Sequence, residues 1–211
     1  MEVANTGTSA AIKTQAADAS ARDVDIALVE RVKRGDMAAF DTLTRKYRER
    51  LFSAVYNMVA NREDAMDIVQ DAFIKAFTSI ASFRGGSAFY TWLYRIAINK
   101  AITFLKKARL RRFFSFENAD EELAPDEVLE KLTVEFGASK GMVLKELREK
   151  LNESLQTLSI KHRTVVVLHE IEGLSHEEIA GITGTTPATV RTRLHYAKRQ
   201  LQSMLGDYLK G

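Results

Sequence analysis

The chain has 211 residues, is 45% hydrophobic and 28% charged, and carries a formal net charge of +3, which suits one ordinary globular domain or two small ones. It has no cysteine, which excludes disulfides, a thiol nucleophile and cysteine-ligated zinc. Its histidines, His162, His169, His176 and His195, stand at no recognised metal spacing, and no apolar run reaches the roughly 20 residues of a membrane span. No metal, cofactor or membrane insertion is therefore expected.

Residues 1–22 are polar, rich in small residues and aperiodic, and read as a disordered tail. They lack the basic start and apolar segment of a secretory signal, so the chain is placed in the cytoplasm. A helical block is expected over 23–112. Its first apolar positions are Ile26, Val29 and Val32. After the Gly35-Asp36 break a long stripe follows through Ala39, Phe40, Leu43, Tyr47, Leu51, Val55 and Met58. Asn61 is an N-cap with Asp64 in the first turn, and the next stripe runs from Ala65 to Ile80. Opposite it lie Glu63, Asp64, Asp67, Gln70, Asp71 and Lys75, a solvated face or a docking face for a protein. A glycine-bearing turn covers 82–87, and a final helix covers about 88–107.

That last segment carries a pattern of its own. Residues 84–112 hold eight Lys and Arg (Arg84, Arg95, Lys100, Lys106, Lys107, Arg109, Arg111 and Arg112) and no acid. Phe89, Tyr90, Trp92, Tyr94 and Phe104 are interleaved. Basic groups that follow a backbone, beside aromatic faces that stack on bases, suit single-stranded nucleic acid, with the 83–87 loop offering a pocket for a flipped base. Some of these aromatics must instead supply the packing stripe of the helix, as Leu93, Ile96 and Ala97 do. Residues 113–145 then change character. Glu117–Glu130 has seven acidic residues and no Lys or Arg, and the stretch reads as a linker.

A second helical block is expected over 146–211. Ser159 caps a helix that stops at Gly173 and buries Val165–Val167. Ser175 and Glu178 form a capping box, and Thr186-Pro187 opens the last helix. Two apolar stripes, Ile179, Ala180 and Ile182 then Val190, Leu194, Ala197 and Leu201, joined by Gly184-Thr185-Thr186, make a helix-turn-helix. Between Thr186 and Leu201 stand Arg191, Arg193, Lys198 and Arg199 and no acid, with Thr189, Thr192, His195 and Tyr196 adding polar tips. Such a helix enters a major groove, where Arg pairs with guanine and Thr or Arg holds phosphate. Its free amides add phosphate affinity.

Taken in order, these motifs resemble the extracytoplasmic-function subfamily of bacterial RNA polymerase sigma factors, over about Asp25 to Leu205. RGDMAAFDTLTRKYRERL (34–51) is similar to the family's opening helices, and EDAMDIVQDAFIKAF (63–77) to its polymerase-clamp helix. FRGGSAFYTWLYRIAINKAITFLKK (83–107) resembles the minus-ten segment, and GLSHEEIAGITGTTPATVRTRLHYAKRQL (173–201) the minus-thirty-five reader. The resemblance implies an all-α fold of two small helical domains on a flexible acidic linker, and a promoter-recognition subunit rather than an enzyme.

It assigns Asp64, Asp67, Gln70, Asp71, Phe73 and Lys75 to polymerase binding. Phe83, Arg84, Phe89, Trp92, Arg95, Asn99 and Lys100 go to single-stranded minus-ten DNA. Ser175, Thr186, Thr189, Arg191, Arg193, His195 and Lys198 go to duplex minus-thirty-five DNA. The implied partners are core RNA polymerase, promoter DNA and an anti-sigma factor, and the acidic linker would pass through polymerase channels. Ile98 and Thr103 depart from the family's usual basic and acidic residues and bear on promoter sequence. A helix-turn-helix regulator acting without polymerase is the alternative, and it leaves 83–112 unused. An adaptor that binds only protein leaves both acid-free basic segments unexplained.

Overall fold

A computed structural model of the protein describes residues 22–114 and 149–208. Among these there is no strand, in keeping with the all-α architecture expected. Residues 1–21 of the expected tail and the acidic stretch Glu117–Glu130 lie outside the described residues, whereas Arg22 already belongs to the first helix.

The first block is four helices. α1 spans 22–33. It stops at Gly35, whose φ of 93° is open to glycine and strained for other residues, and whose amide donates to Val32 O at 2.8 Å. Asp36 caps α2 (Met37–Val59), accepting from the Ala39 amide, and Arg31 lies 2.7 Å from its carboxylate. That guanidinium, with the amide, holds the Asp36 carboxyl below the usual carboxylate range. Asn61 caps α3 (Arg62–Ser79) by accepting from the Asp64 amide. A 3-10 turn, Ile80–Ser82, leads to the 83–88 loop, which Lys33 braces by donating to Phe83 O at 2.8 Å.

α4 runs Phe89–Phe114, seven residues beyond the expected end at Lys107. Residues 108–114 contain no glycine or proline, and their arginines sit where the negative end of the helix dipole favours cations.

The second block begins with α5 (149–157). Ser159 caps α6 (Ile160–Val166), which passes into one π-type turn, Val167–Ile171. There the Glu172 amide reaches back five residues to Val167 O at 3.1 Å. Gly173, φ 70°, ends the run. α7 (His176–Thr183) opens on the complete Ser175–Glu178 capping box and closes on Gly184 in the left-handed region. α8 (Pro187–Tyr208) follows, with the Thr189 amide bonded to the Thr186 hydroxyl.

The two blocks are packed together. α4 meets α7 and α6, and α2 meets α6 and the π-type turn. One apolar core runs through both, from Leu43, Leu51 and Met58 through Phe89, Leu93 and Ile98 to Leu155, Leu168, Ile179 and Val190. Every buried side-chain nitrogen and oxygen among the described residues has a partner.

The sharp corner between α7 and α8 rests on Gly184, whose φ is 64° and whose Cβ position faces open space. A side chain there would meet backbone strain and no clash. Gly184→Ala should therefore destabilise the protein by about 1–2 kcal/mol, read from its urea midpoint, while leaving its helix content unchanged.

Candidate nucleic-acid interface

The aromatic and basic residues of the first block sort by depth. Phe83 and Phe89 are in the core at 4% and 0% exposure, packed edge to face with centroids 5.9 Å apart. Tyr47 closes on Phe89 from α2 at 5.9 Å. Of the residues expected to meet minus-ten DNA, these two phenylalanines present no ring face to solvent here. Tyr94 is likewise core, at 1% exposure. The burial of Phe89 and Tyr94 follows from α4 needing an inward stripe, which takes positions 89, 93, 94, 97 and 101.

Trp92 differs. It lies half-buried on the Phe83–Phe89 pair, at 5.4 and 5.8 Å between centroids. Arg95 and Asn99 are exposed one and two turns further along the same face of α4, and Arg84 is exposed in the loop beside it. Thr103 is exposed on the next turn. An indole held by a rigid aromatic floor, flanked by cations and an amide, is a stacking platform with hydrogen-bonding neighbours. Lys100 stands aside, 2.8 Å from Asp71 of α3.

In the second block α8 turns its apolar stripe, Val190, Leu194, Ala197 and Leu201, into the core. The opposite face carries Arg191, Thr192, His195, Tyr196 and Arg199, all exposed. Arg191 and His195 are the expected residues that reach it. Thr192 and Arg199 belong with them through the helical period, which a count of basic residues does not resolve. Thr189 and Arg193 are half-buried on one flank, and Lys198 lies on the other, 2.7 Å from Glu170. Ser175 and Thr186 are caps, each hydroxyl accepting an amide three residues on. They set where the two helices begin.

Arg193 shares one groove of about 610 Å³ with Asn99, Ile102, Lys106, Arg109, Lys161 and Thr185. The linings from the two blocks contribute four cations and no acid.

The α3 residues expected to bind a protein are placed as follows. Asp67, Gln70, Asp71 and Lys75 are exposed, Asp64 is half-buried, and Phe73 is buried at 8%. Burial, then the charges of Asp67 and Glu63, push the Asp64 carboxyl up. Beside them is an apolar groove of about 960 Å³ between α2 and α3. Its exposed Met37, Met66, Ile74 and Phe77 are over a third open to solvent. Phe40 stands against Phe77 with centroids 5.0 Å apart. The sequence signal for it was a second stripe on α3, Met66, Gln70, Ile74 and Phe77, outside the core stripe.

Family models for Sigma-70 region 2 and for Sigma-70 region 4 match residues 43–111 and 148–201. The chain is 38% identical to the RNA polymerase sigma-H factor of Pseudomonas aeruginosa over 189 residues, covering 90% of this chain and 97% of that one. It is also 38% identical to the ECF RNA polymerase sigma-E factor of Escherichia coli K12, covering 88% and 96%. Among solved structures, CnrH in complex with the cytosolic domain of CnrY superposes with a TM-score of 0.63 at 25% identity, over 88% of this chain and 99% of that one. The sigma factor RpoE bound to the anti-sigma factor NepR, from Bartonella quintana, shares the fold, with a TM-score of 0.61 at 22% identity, over 79% and 96%.

Arg191 should lose a phosphate or base contact when replaced, with no cost to the fold, because it is exposed. Arg191→Ala is expected to weaken binding to duplex DNA carrying the cognate element. If the contact is to phosphate, it should also lower the slope of log affinity against log salt by about one. Fluorescence anisotropy across a salt series measures both.

Proposed function

The chain belongs to the extracytoplasmic-function (ECF) family of RNA polymerase sigma factors, and we propose that its two basic surfaces divide promoter reading between them. It is an initiation factor that binds core polymerase and directs promoter-specific transcription. In this reading Trp92, Arg84, Arg95 and Asn99 hold the unpaired minus-ten strand, while Arg191, Thr192, His195 and Arg199 read the minus-thirty-five duplex. The observation that carries it is the pairing, on one chain, of an aromatic-basic platform on α4 with a basic helix-turn-helix face on α8, both turned to solvent.

The two surfaces use different physics. Duplex recognition needs a rigid helix whose tips match base edges, and α8 supplies it through a stripe fixed in the core. Strand capture needs a π-face and nearby charge, and Trp92 on its phenylalanine floor supplies that without strict base choice. No step is chemical, so the polymerase supplies catalysis and this chain supplies address and melting.

The α2–α3 groove is the polymerase-docking surface in this account, with Met66, Ile74 and Phe77 giving apolar area and Asp67 and Gln70 the polar rim. Its occupant is the clamp coiled coil of the polymerase, as the family assignment implies. Family membership also implies an anti-sigma partner that covers these surfaces, an envelope or stress signal upstream, and a cytoplasmic site of action. The four-helix first block and the helix-turn-helix second block act as sigma regions 2 and 4, over 23–112 and 146–211.

Run-off transcription tests the reading. Purified core polymerase on a genomic fragment library should give new, defined start sites only when this protein is added. An unchanged set of starts, together with DNA binding by the protein alone, would instead mark an operator-binding regulator. Ile74→Asp and Asp67→Lys, both at exposed positions, should each weaken core-polymerase binding about tenfold or more in a titration. Neither should change melting behaviour appreciably, since exposed substitutions fall within about 0.5 kcal/mol. Unchanged affinity in both would remove this groove from the docking surface.

A further inference from the structure

Resting on the sigma reading, we infer that a polar cluster centred on Glu172 latches the two blocks into a closed form that must open before both promoter elements are read. Glu172 belongs to the second block, at the end of the π-type turn, and is 9% exposed. Its Oε2 accepts from the Tyr94 hydroxyl of α4 at 2.7 Å and lies 3.5 Å from Arg50 Nε of α2. Arg50 also donates to the Glu172 carbonyl at 3.1 Å. Burial, with the Glu172 charge, pushes the Tyr94 hydroxyl far above the usual phenol range, so it stays a donor.

A second point of attachment lies at the other end of α2. The last carbonyls of a helix have no partner within it. Here the buried Arg163 of α6 donates to Met58 O at 2.5 Å, and Gln156 of α5 to Asn57 O at 3.4 Å. A guanidinium at the negative end of a helix dipole is favourably placed. The second block thus caps a helix of the first.

Closure has a geometric consequence. In this form Asn99 of the minus-ten platform and Arg193 beside the minus-thirty-five reader line the same groove of about 610 Å³. The two elements lie roughly 25 base pairs apart, which is about 85 Å of duplex at 3.4 Å per pair. The closed form therefore reaches one element at a time. The groove also gathers Lys106, Arg109, Lys161 and Arg193 without an acid, a like-charge crowding that opposes closure. The shared apolar core, the Glu172 cluster and the Arg163 cap hold the blocks together against it. The Glu172 contacts can be removed with less damage, because Arg163 also bonds Leu155 O and Gln156 O inside its own block.

The absence of native cysteine makes the test direct. Ala27→Cys and Ser203→Cys, both exposed positions and one in each block, carry a spin-label pair in the full chain. Free wild type should give one short distance population. Tyr94→Phe should shift the closed-to-open ratio by roughly tenfold or more toward open, the range for losing a hydrogen bond to a charged group. Arg50→Gln, at a more exposed residue, should shift it the same way by less, and it guards against misfolding of the buried variant.

Opening should also lower, by a similar factor, the concentration needed to form a complex with core polymerase on a fragment carrying both elements, because the competent fraction rises. Distance populations that are unchanged in both variants overturn the latch, as does a wild type already open. Opening without any gain in complex formation overturns its inhibitory role. If the distances respond as expected while no variant forms the polymerase complex, the latch stands and the sigma reading fails.

Discussion

The buried carboxylate of Glu172 is the constraint around which the arrangement of this molecule turns. A charge at this depth is tolerated only when fully partnered. Its partners, Tyr94 and Arg50, come from the other half of the chain. Satisfying it therefore fixes where the helix-turn-helix block sits on the four-helix block. Arg163 repeats the logic, its guanidinium spread over the carbonyls of Leu155, Gln156 and Met58, with burial bringing its pKa down to about 10. It stays charged near neutral pH. Apolar packing between blocks gives attraction without direction, whereas these polar contacts choose one geometry.

That geometry sets how the two exposed basic surfaces, on α4 and on α8, are placed. Each of the two surfaces stands on side chains that its helix turns into the shared core. The Trp92 platform rests on Phe83 and Phe89, and the outer face of α8, with Arg191 and His195, on Val190, Leu194, Ala197 and Leu201. Under the proposed opening, what changes is their separation. Segregation of charge helps, because α4 beyond Asp71's partner Lys100 and the outer face of α8 present cations to a polyanion.

Much of this was legible in the sequence because caps and stripes are local. Asn61, Ser159, Ser175 with Glu178, and Thr186 all stand as caps at the helix starts expected of them. The two stripes of the helix-turn-helix are those the spacing predicts. The depth of individual aromatics was not legible. Phe83, Phe89, Trp92 and Tyr94 share a composition signal, and only the packing of α4 against α2 divides floor from platform. The apolar groove was obscured for a related reason, since Met66, Ile74 and Phe77 read as parts of one hydrophobic helix until the core stripe is subtracted. The packing of the blocks was least visible. It rests on contacts between residues 78 and 105 positions apart, made by a Tyr, a Glu and an Arg that no motif singles out.

In the proposed function one chain, once on the polymerase, reads a duplex element and a melted element of the same promoter. Footprinting on a single promoter fragment tests it most directly, combining nuclease protection with permanganate reactivity of unpaired thymines. With core polymerase and this protein together, the account predicts protection at the upstream element and reactive thymines roughly 25 base pairs downstream, about 85 Å along the duplex. Protection of one site by the protein alone, with no reactive thymines when polymerase is added, would contradict it.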